Sequence, residues 1–375
     1  MFETEFIRIF SRKIALLAMI LPAILLLIYC NLGMYSSEYL IDNSVIYQQG
    51  DAARRDKEIT SEFSGPMTVE TVQAIWEKYG PPVAYNTPNK SGEYLRQAAM
   101  NGGSDNSCNR LVAQLFCEEI TDENGNAAYV LKDNLSENPY LQGDFYFGYA
   151  GKGWSGFREF FIMVTVMSGL VVIISLCPTF SEDYAFRTAD ILLPTEKGRF
   201  YLWKTRLLVG CCFATIYYWF LGALLFVDLW VLYGLDGLRV SGHFTGQYLF
   251  MDPGAPLWKE VVILYLGSWL AVLVLTGVVL AVSALCKRSF GSLVWSIGLY
   301  FGPYIVVRVV LNQLSVSRIL MWVQVIVYGL PFSYSLMCLN TPTVLGLVMT
   351  GVELVVGGAG TVLSVRGWCR HQIEE

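Results

Sequence analysis

The stretch IALLAMILPAILLLIYCNLGM, which runs from Ile14 to Met34, contains a single strongly polar residue, Asn31. A bilayer core about 30 Å thick needs roughly 20 apolar residues in a helix that rises about 1.5 Å per residue. This stretch is therefore long enough to cross a membrane. Arg8, Arg12 and Lys13 precede it, as basic residues precede a signal peptide, but no clear small-x-small cleavage site follows and the run is longer than a signal core. The sequence predicts an uncleaved anchor.

Five further apolar runs have a comparable length. They are Phe160 to Cys177, Leu207 to Val231, Val261 to Leu285, Phe290 to Leu311 and Val344 to Val365. A shorter run, Ile319 to Leu330, reaches only about 18 Å as a helix, so segment 316–331 is predicted to be interfacial or re-entrant. Only 15% of the residues are charged, against about 25% in soluble domains. The sequence predicts an α-helical integral membrane protein with six transmembrane helices.

Basic residues are unevenly divided between the two sides of these spans. With the N-terminus in the cytosol, the inner side holds 12 of them and the short outer loops hold 3, namely Arg239, Lys259 and Arg318. Cytoplasmic loops carry the excess of lysine and arginine in membrane proteins, so we expect both termini in the cytosol. The inner basic residues are Arg8, Arg12, Lys13, Arg187, Lys197, Arg199, Lys204, Arg206, Lys287, Arg288, Arg366 and Arg370.

This topology places residues 35–157 outside the membrane, between the first span (residues 1–34 with the N-terminus) and the other five (158–375). The region holds 17 acidic and 9 basic residues, and we expect a large α-rich or mixed extracytoplasmic domain. Helices are predicted from Val69 to Lys78, by the spacing of apolar residues, and from Asn109 to Glu119. Cys108 and Cys117 make a disulfide possible outside the membrane, but on one helix they are too far apart to bond. The sequence leaves both alternatives open.

The cytosolic segment 178–206 contains the stretch SEDYAFRTADILLPTEKGR, from Ser181 to Arg199. Ser181 suits a helix N-cap, and the acidic residues Glu182 and Asp183 suit the first turn of the helix that would follow. Pro194 ends that helix or the loop after it. We therefore expect a helix that lies across the cytosolic face and is tied to two spans. Such a helix can transmit a movement of a soluble partner protein to both spans.

The same stretch resembles the permease subunits of type-2 ABC exporters. The resemblance is carried by a Glu after the second span, a Thr-x-x-x-Leu-Leu run, a Gly-Arg pair and a Lys before the third span. The run from Tyr149 to Gly156 is also similar to the Gly-Trp entry to their second span. One position differs from the pattern of the family, which usually has Gly where this chain has Arg187. The residues that the resemblance assigns to coupling are Glu182, Asp183, Arg187, Thr188, Leu192, Leu193, Arg199 and Lys204.

The resemblance implies a membrane-spanning subunit of an ATP-driven exporter, in the plasma membrane of a bacterium and in contact with membrane lipid. Its expected cargo is amphipathic or hydrophobic, such as an antimicrobial peptide or a lipid-like compound. The sequence lacks the G-x-x-x-x-G-K-[ST] phosphate loop, so ATP and Mg²⁺ are expected on a separate cytosolic ATPase, and the chain itself is not expected to be an enzyme. A second copy or a sister permease is expected to complete the pathway.

Other functions remain as alternatives. A membrane sensor with an extracytoplasmic ligand-binding domain is the main one, although the chain has no soluble signalling domain. An intramembrane hydrolase lacks the H-E-x-x-H and G-x-S-x-G motifs. No basic stripe suggests nucleic-acid binding, and no C-x-x-C pair suggests a metal site.

Three residues inside the predicted spans are candidates for the translocation path or for packing. Glu353 lies near the middle of the last span, ahead of Gly357, Gly358 and Gly360. Ionisable groups inside a membrane are costly, so each one suggests a function, while pairing with another helix is the simpler explanation. Arg308 lies near the outer end of the fifth span and is long enough to reach headgroups. Pro303 predicts a kink, which serves as a gate or only as a packing feature.

Overall fold

The computed structural model describes residues 1–43, 45–83, 103–121, 127–142, 145–195, 197–245, 254–309 and 343–370, with isolated positions at 323, 327 and 330. The helices of this described part are α1 (Phe2–Phe10), α2 (Lys13–Ile28), α3 (Gln49–Ser61), α4 (Val69–Tyr79), α5 (Ser107–Phe116), α6 (Gly151–Ser155), α7 (Phe157–Leu176), α8 (Pro178–Ala185), α9 (Ala189–Leu192), α10 (Phe200–Tyr233), α11 (Leu257–Leu285), α12 (Ser289–Val309) and α13 (Thr343–Cys369). The strands are β1 (Tyr39–Asp42), β2 (Val45–Gln48), β3 (Gly65–Pro66), β4 (Cys117–Thr121), β5 (Ala127–Leu131) and β6 (Tyr146–Phe147).

Within the described ranges, six helical stretches are long and apolar enough to cross a membrane, as predicted. They are α2 with its π-helical extension Tyr29–Met34, α7 together with α8, and each of α10, α11, α12 and α13. The second stretch continues to Ala185, past the predicted end at Cys177, and the third begins at Phe200, before the predicted start at Leu207. The predicted interfacial segment 316–331 falls outside the described residues, apart from three isolated positions.

The chain divides into two compact units, and the first consists of Met1–Leu26, Glu159–Leu225 and Val262–Glu375. In this helical unit α11 and α13 run in the same direction, because Gly277 packs on Gly360 and Ala284 packs on Gly367. Glycine at these positions lets the two backbones approach closely. Because α12 starts only four positions after α11 ends, it runs in the direction opposite to α11. The chain therefore leaves α12 and enters α13 at the same end of the unit.

The second unit consists of Leu27–Arg158 and Phe226–Val261. It includes the predicted domain 35–157, and its described part is mixed, with helices and three two-stranded antiparallel sheets, β1–β2, β3–β6 and β4–β5. The core is formed mainly by α3, α4 and α5, and it includes the buried residues Leu40, Ile59, Val72, Ile75, Val112, Phe116 and Phe147. Helix α4 begins where Thr68 accepts a hydrogen bond from the Thr71 amide, which is a usual N-cap arrangement.

One prediction for this second unit is corrected, and one alternative that the sequence left open is decided. The helix expected from Asn109 to Glu119 ends at Phe116, because Cys117–Thr121 forms β4 and pairs with Ala127–Leu131. Cys108 and Cys117 are both buried and both free, so the possible disulfide is not formed. The thiol of Cys108 is directed to α3 instead, where it donates to Thr60 Oγ1 at 3.6 Å.

The Gly-Trp pair before the second span also has a packing role in this unit. Trp154 is fully buried, and its indole Nε1 donates to the carbonyl oxygen of Gly234 at 2.8 Å. A Cβ on Gly153 would overlap the ring of Tyr233, the last residue of α10. The pair therefore fixes the end of α10 against α6.

Candidate functional site

The chain between the second and third spans forms two short helices joined by a left-handed residue. Helix α8 ends at Ala185, and Arg187 has a φ of 57°, in the region that favours glycine. Helix α9 follows at once, with Thr188 at its N-cap position. The hydroxyl of Thr188 lies 3.2 Å from the carboxylate Oδ1 of Asp183 and closes the turn. We call residues 186–199 the elbow.

The helix predicted to start at Ser181 does not start there, because the second span continues through it. Ser181 lies inside α8, and its hydroxyl donates to the carbonyl oxygen of Cys177, one turn earlier. Glu182 and Asp183 therefore occupy the last turn of a helix and not its first turn. The helix dipole disfavours carboxylates at that end, so these two side chains depend on positive partners.

Two arginines from the N-terminal region supply part of that positive charge. Arg8 Nη2 lies 3.1 Å from Glu182 Oε2 and 2.9 Å from Asp183 Oδ1. Arg12 also pairs with Glu182. Burial is the largest single influence on the pKa of the Arg8 guanidinium and lowers it, but the attraction of Asp183, Glu5 and Glu182, together with the hydrogen bond to Asp183, outweighs burial, and the net pKa is raised. The pairs attach α1 to the end of α8 across more than 160 residues of sequence.

Arg206 of α10 completes the group from the other side. Its side chain is 1% exposed, its Nη1 lies 2.5 Å from Asp183 Oδ2, and its Nη2 donates to Glu5 at 3.2 Å. Its guanidinium carbon lies 5.1 Å from the ring centre of Phe180 and 5.2 Å from that of Trp368, at cation–π distance. We call this group of six residues the basal cluster: Glu5, Arg8, Arg12, Glu182, Asp183 and Arg206.

The far side of the elbow is anchored by backbone contacts. A Cβ on Gly198 would overlap the carbonyl oxygen of Leu192, so only glycine fits there. The carbonyl oxygen of Gly198 accepts a hydrogen bond from Trp368 Nε1 at 3.0 Å. Arg199 Nε donates to the carbonyl oxygen of Leu193 at 3.2 Å. The Gly-Arg pair therefore closes the elbow and ties it to α13.

Two large apolar side chains project from the elbow into solvent. Phe186 is 72% exposed and Ile191 is 73% exposed, although both lie beyond the apolar part of the spans. Exposed Arg187 and Asp190 lie beside them in the sequence. Contiguous apolar surface with a polar rim marks protein or membrane interaction sites, which makes these two side chains candidates for a contact.

The residues predicted for coupling thus occupy three kinds of position. Glu182 and Asp183 belong to the basal cluster, Leu192 is half-buried and Leu193 is buried. The exposed ones are Arg187, Thr188, Arg199 and Lys204. Phe186 and Ile191 were missed, although two apolar residues in a polar segment between two spans are a usable signal. The pairing of Arg8, Arg12 and Arg206 with carboxylates in the basal cluster could not be recognised in the sequence, where only their positive charge is visible.

Glu353 lies apart from the elbow, within α13. Its side chain is 0% exposed, and neither carboxylate oxygen has a hydrogen-bond partner among the residues that the structure describes. Gly357 and Gly360 follow one and two turns later, against Val274 and Gly277 of α11. The spacing places Glu353 on the face of α13 that packs on α11.

Pro303 and Arg308 both lie in α12, towards its C-terminal end. Pro303 is half-buried within the helix. The side chain of Arg308 is outside the described part of the structure, so its predicted role stays a prediction. Neither residue belongs to the elbow or to the basal cluster.

Comparison with protein-family models, with curated proteins and with solved structures finds no match for this chain. The elbow, the basal cluster and the six apolar helices are therefore the observations on which a function has to be based.

Proposed function

We propose that this chain is the membrane-spanning subunit of an ATP-driven exporter of the type-2 ABC class, and that the elbow receives a separate cytosolic ATPase. The observation that carries the proposal is the pair of exposed apolar side chains, Phe186 and Ile191, on a segment anchored at both ends to spanning helices. The left-handed conformation of Arg187 supports it as well, since related permeases usually have glycine at that position.

The anchors suggest how a push on the elbow reaches the membrane. On one side the elbow continues from α8, whose Asp183 is paired with Arg206 of α10 at 2.5 Å. On the other side it is hydrogen-bonded through Gly198 to Trp368 of α13. A displacement of the elbow would therefore be transmitted through these contacts to three stretches of membrane-crossing length, namely α7 with α8, α10 and α13. Buried ion pairs resist separation, because a charge left alone in the interior is costly.

The orientation that we propose places the elbow in the cytosol. The basic residues that follow α11 and α13 belong to the same side as the elbow, because the two helices end together and Trp368, near the end of α13, is hydrogen-bonded to Gly198 of the elbow. Under the rule that basic loops face the cytosol, both termini are cytosolic and residues 35–157 are extracytoplasmic. Thiol labelling from outside intact cells tests this: a cysteine at Val45 should react and one at Ile191 should not.

The cargo that we propose is amphipathic or hydrophobic, such as an antimicrobial peptide or a lipid-like molecule, because the described spans expose many apolar and few polar side chains. A second copy or a sister permease completes the pathway in this proposal. The partner ATPase binds ATP and Mg²⁺, and the site of action is the plasma membrane of a bacterium.

The test is affinity purification of the tagged chain from its native membranes in mild detergent, with mass spectrometry of the proteins that remain bound. The variant Phe186→Asp with Ile191→Asp removes the apolar contact without touching the basal cluster. The control, Val45→Asp with Ile120→Asp, changes two apolar side chains in the second unit that are 50% and 46% exposed. Both variants add the same charge.

The proposal predicts that a phosphate-loop ATPase accompanies the wild-type chain and the control but is lost from the elbow variant. An intact wild-type complex without an ATPase contradicts it and favours the sensor alternative. Equal loss of the ATPase from both variants contradicts the assignment of the elbow as its contact site. The added negative charge would then act by destabilising the protein as a whole.

A further inference from the structure

A crevice with a volume of about 620 Å³ lies between the start of α2, the end of α7 and the start of α12. Sites for small ligands have volumes of roughly 300–1,000 Å³. The walls are apolar and include Ile14, Ile174, Phe290 and Leu293. Ile14 is 73% exposed and Phe290 is 77% exposed. Both belong to helices of membrane-crossing length, so their outward faces suit acyl chains.

One end of the crevice is polar. Lys13 is the first residue of α2 and Ser289 the first residue of α12, and both line it. The starts of spanning helices lie near the headgroups of a bilayer. Arg12 and Glu182 also line this end and pair with each other, and Arg12 donates in addition to the carbonyl oxygen of Ser175 at 3.2 Å. The crevice therefore combines a polar end at headgroup depth with apolar walls.

The charge of this end is positive. In the basal cluster three arginines face three carboxylates, so the cluster is balanced. Lys13 is exposed and has no ion-pair partner among the residues that the structure describes. It is therefore a surplus cation at the polar end of an otherwise apolar crevice.

We propose that this crevice binds an anionic phospholipid, with its phosphate at Lys13 and one acyl chain along Ile14, Ile174 and Leu293. Basic pockets between spanning helices on the cytoplasmic side attract such headgroups. A free phosphate would leave the apolar walls without a partner, and a lipid without net charge would leave Lys13 uncompensated. The inference depends on the membrane location of the helices and not on the exporter proposal.

The test uses the full-length chain, purified in a detergent without phospholipid. Native mass spectrometry measures the binding of dioleoyl-phosphatidylglycerol and of dioleoyl-phosphatidylcholine, which have the same acyl chains and differ in headgroup charge. Glycerol phosphate serves as the soluble anion. Lys13→Gln removes the surplus charge, Leu293→Trp fills the apolar wall, and Lys197→Gln is the control, because Lys197 is an exposed lysine that does not line the crevice.

The proposal predicts one tightly held phosphatidylglycerol, with weaker binding of phosphatidylcholine. Lys13→Gln should weaken phosphatidylglycerol binding roughly fivefold, as expected for one lysine at a headgroup, and Lys197→Gln should not change it. Leu293→Trp should lose the lipid while keeping the circular dichroism spectrum of the wild type. If Leu293→Trp does not fold, the two lysine variants decide the outcome.

Equal affinity for the two lipids would overturn the proposal, as would equal weakening by the two lysine variants, which indicates diffuse attraction. Displacement of the lipid by an equal concentration of glycerol phosphate would assign the site to free anions and also overturn it. None of these outcomes bears on the ATPase contact at the elbow, so the two proposals fail separately.

Discussion

The pair formed by Asp183 and Arg206 offers the sharpest test of how the elbow is anchored. Their side chains are 5% and 1% exposed, and Arg206 Nη1 lies 2.5 Å from Asp183 Oδ2. Removal of one partner from a buried ion pair costs about 3–5 kcal/mol, because the other charge is left without compensation. We expect Arg206→Ala to lower the free energy of unfolding by about 3 kcal/mol, near the lower limit, because Arg8 still lies 2.9 Å from Asp183 Oδ1.

The loss has a second source in the aromatic rings that flank the guanidinium. Arg206 lies 5.1 Å from the ring centre of Phe180 and 5.2 Å from that of Trp368, and a desolvated cation–π contact contributes roughly 0.5–2 kcal/mol. Asp183→Asn removes the ion pairs with Arg206 and Arg8 but keeps the rings around Arg206, so its cost measures the electrostatic part alone. The double variant should be less destabilised than the sum of the two single variants, by about 1–3 kcal/mol.

The assay is reversible unfolding in mixed micelles of detergent and sodium dodecyl sulfate, followed by tryptophan fluorescence. Lys204→Ala is the matched control on the same helix, because Lys204 is exposed, and it should stay within about 0.5 kcal/mol of the wild type. A value for Arg206→Ala as close to the wild type as that of the control, or strict additivity of the two single variants, would contradict an elbow anchored by this buried pair.

Three more predictions concern strain, burial and pH. Arg187→Gly should raise the free energy of unfolding by up to about 1 kcal/mol in the same assay, since φ is 57° at that position; a loss of stability would contradict the left-handed turn. Glu353→Leu should raise the free energy of unfolding by about 1–3 kcal/mol, because the buried carboxyl group has no hydrogen-bond partner among the described residues. A large drop in the melting temperature of the detergent-solubilised variant would instead show that the carboxyl group has a partner. Loss of hydration raises the pKa of Asp56 and of Glu38 above their ordinary values of 3.8 and 4.5. The folded second unit therefore holds protons that the unfolded chain releases, and its stability falls as pH rises above those values. Hydrogen exchange of α5, corrected for the intrinsic rate, should be slower at about pH 5 than at about pH 7, and the reverse order would contradict the shifts.

The spanning helices were predictable because an apolar run of about 20 residues has few other uses. Their ends were less predictable, since polar residues do not stop a helix that continues beyond the bilayer. Ser181 illustrates this: it suits an N-cap in sequence, yet its hydroxyl satisfies the Cys177 carbonyl inside a continuing helix. Because α8 continues the second span, Glu182 lies in the last turn of a helix and not in the first turn that the sequence predicted.

The basal cluster could not be predicted, because it joins α1 to α8 across 174 residues of sequence. Arg8 and Arg12 resemble the ordinary basic flank of a first span, and nothing nearby identifies their partners. In the second unit, the spacing of apolar residues correctly located the start of α4 at Val69, whereas the end of α5 depends on pairing between β4 and β5. Contacts of that kind depend on tertiary structure and not on the local pattern.

The most direct test of the proposed ATPase contact is photocrosslinking from the elbow in living cells. A benzophenone amino acid is placed at Ile191 in one strain and at Ile120, in the second unit, in another; the two positions are 73% and 46% exposed. We expect a crosslinked product at position 191, but not at 120, whose partner carries a phosphate-loop ATPase sequence. Absence of an ATPase from the products at 191, or the same product at both positions, would contradict the claim that the elbow receives the ATPase.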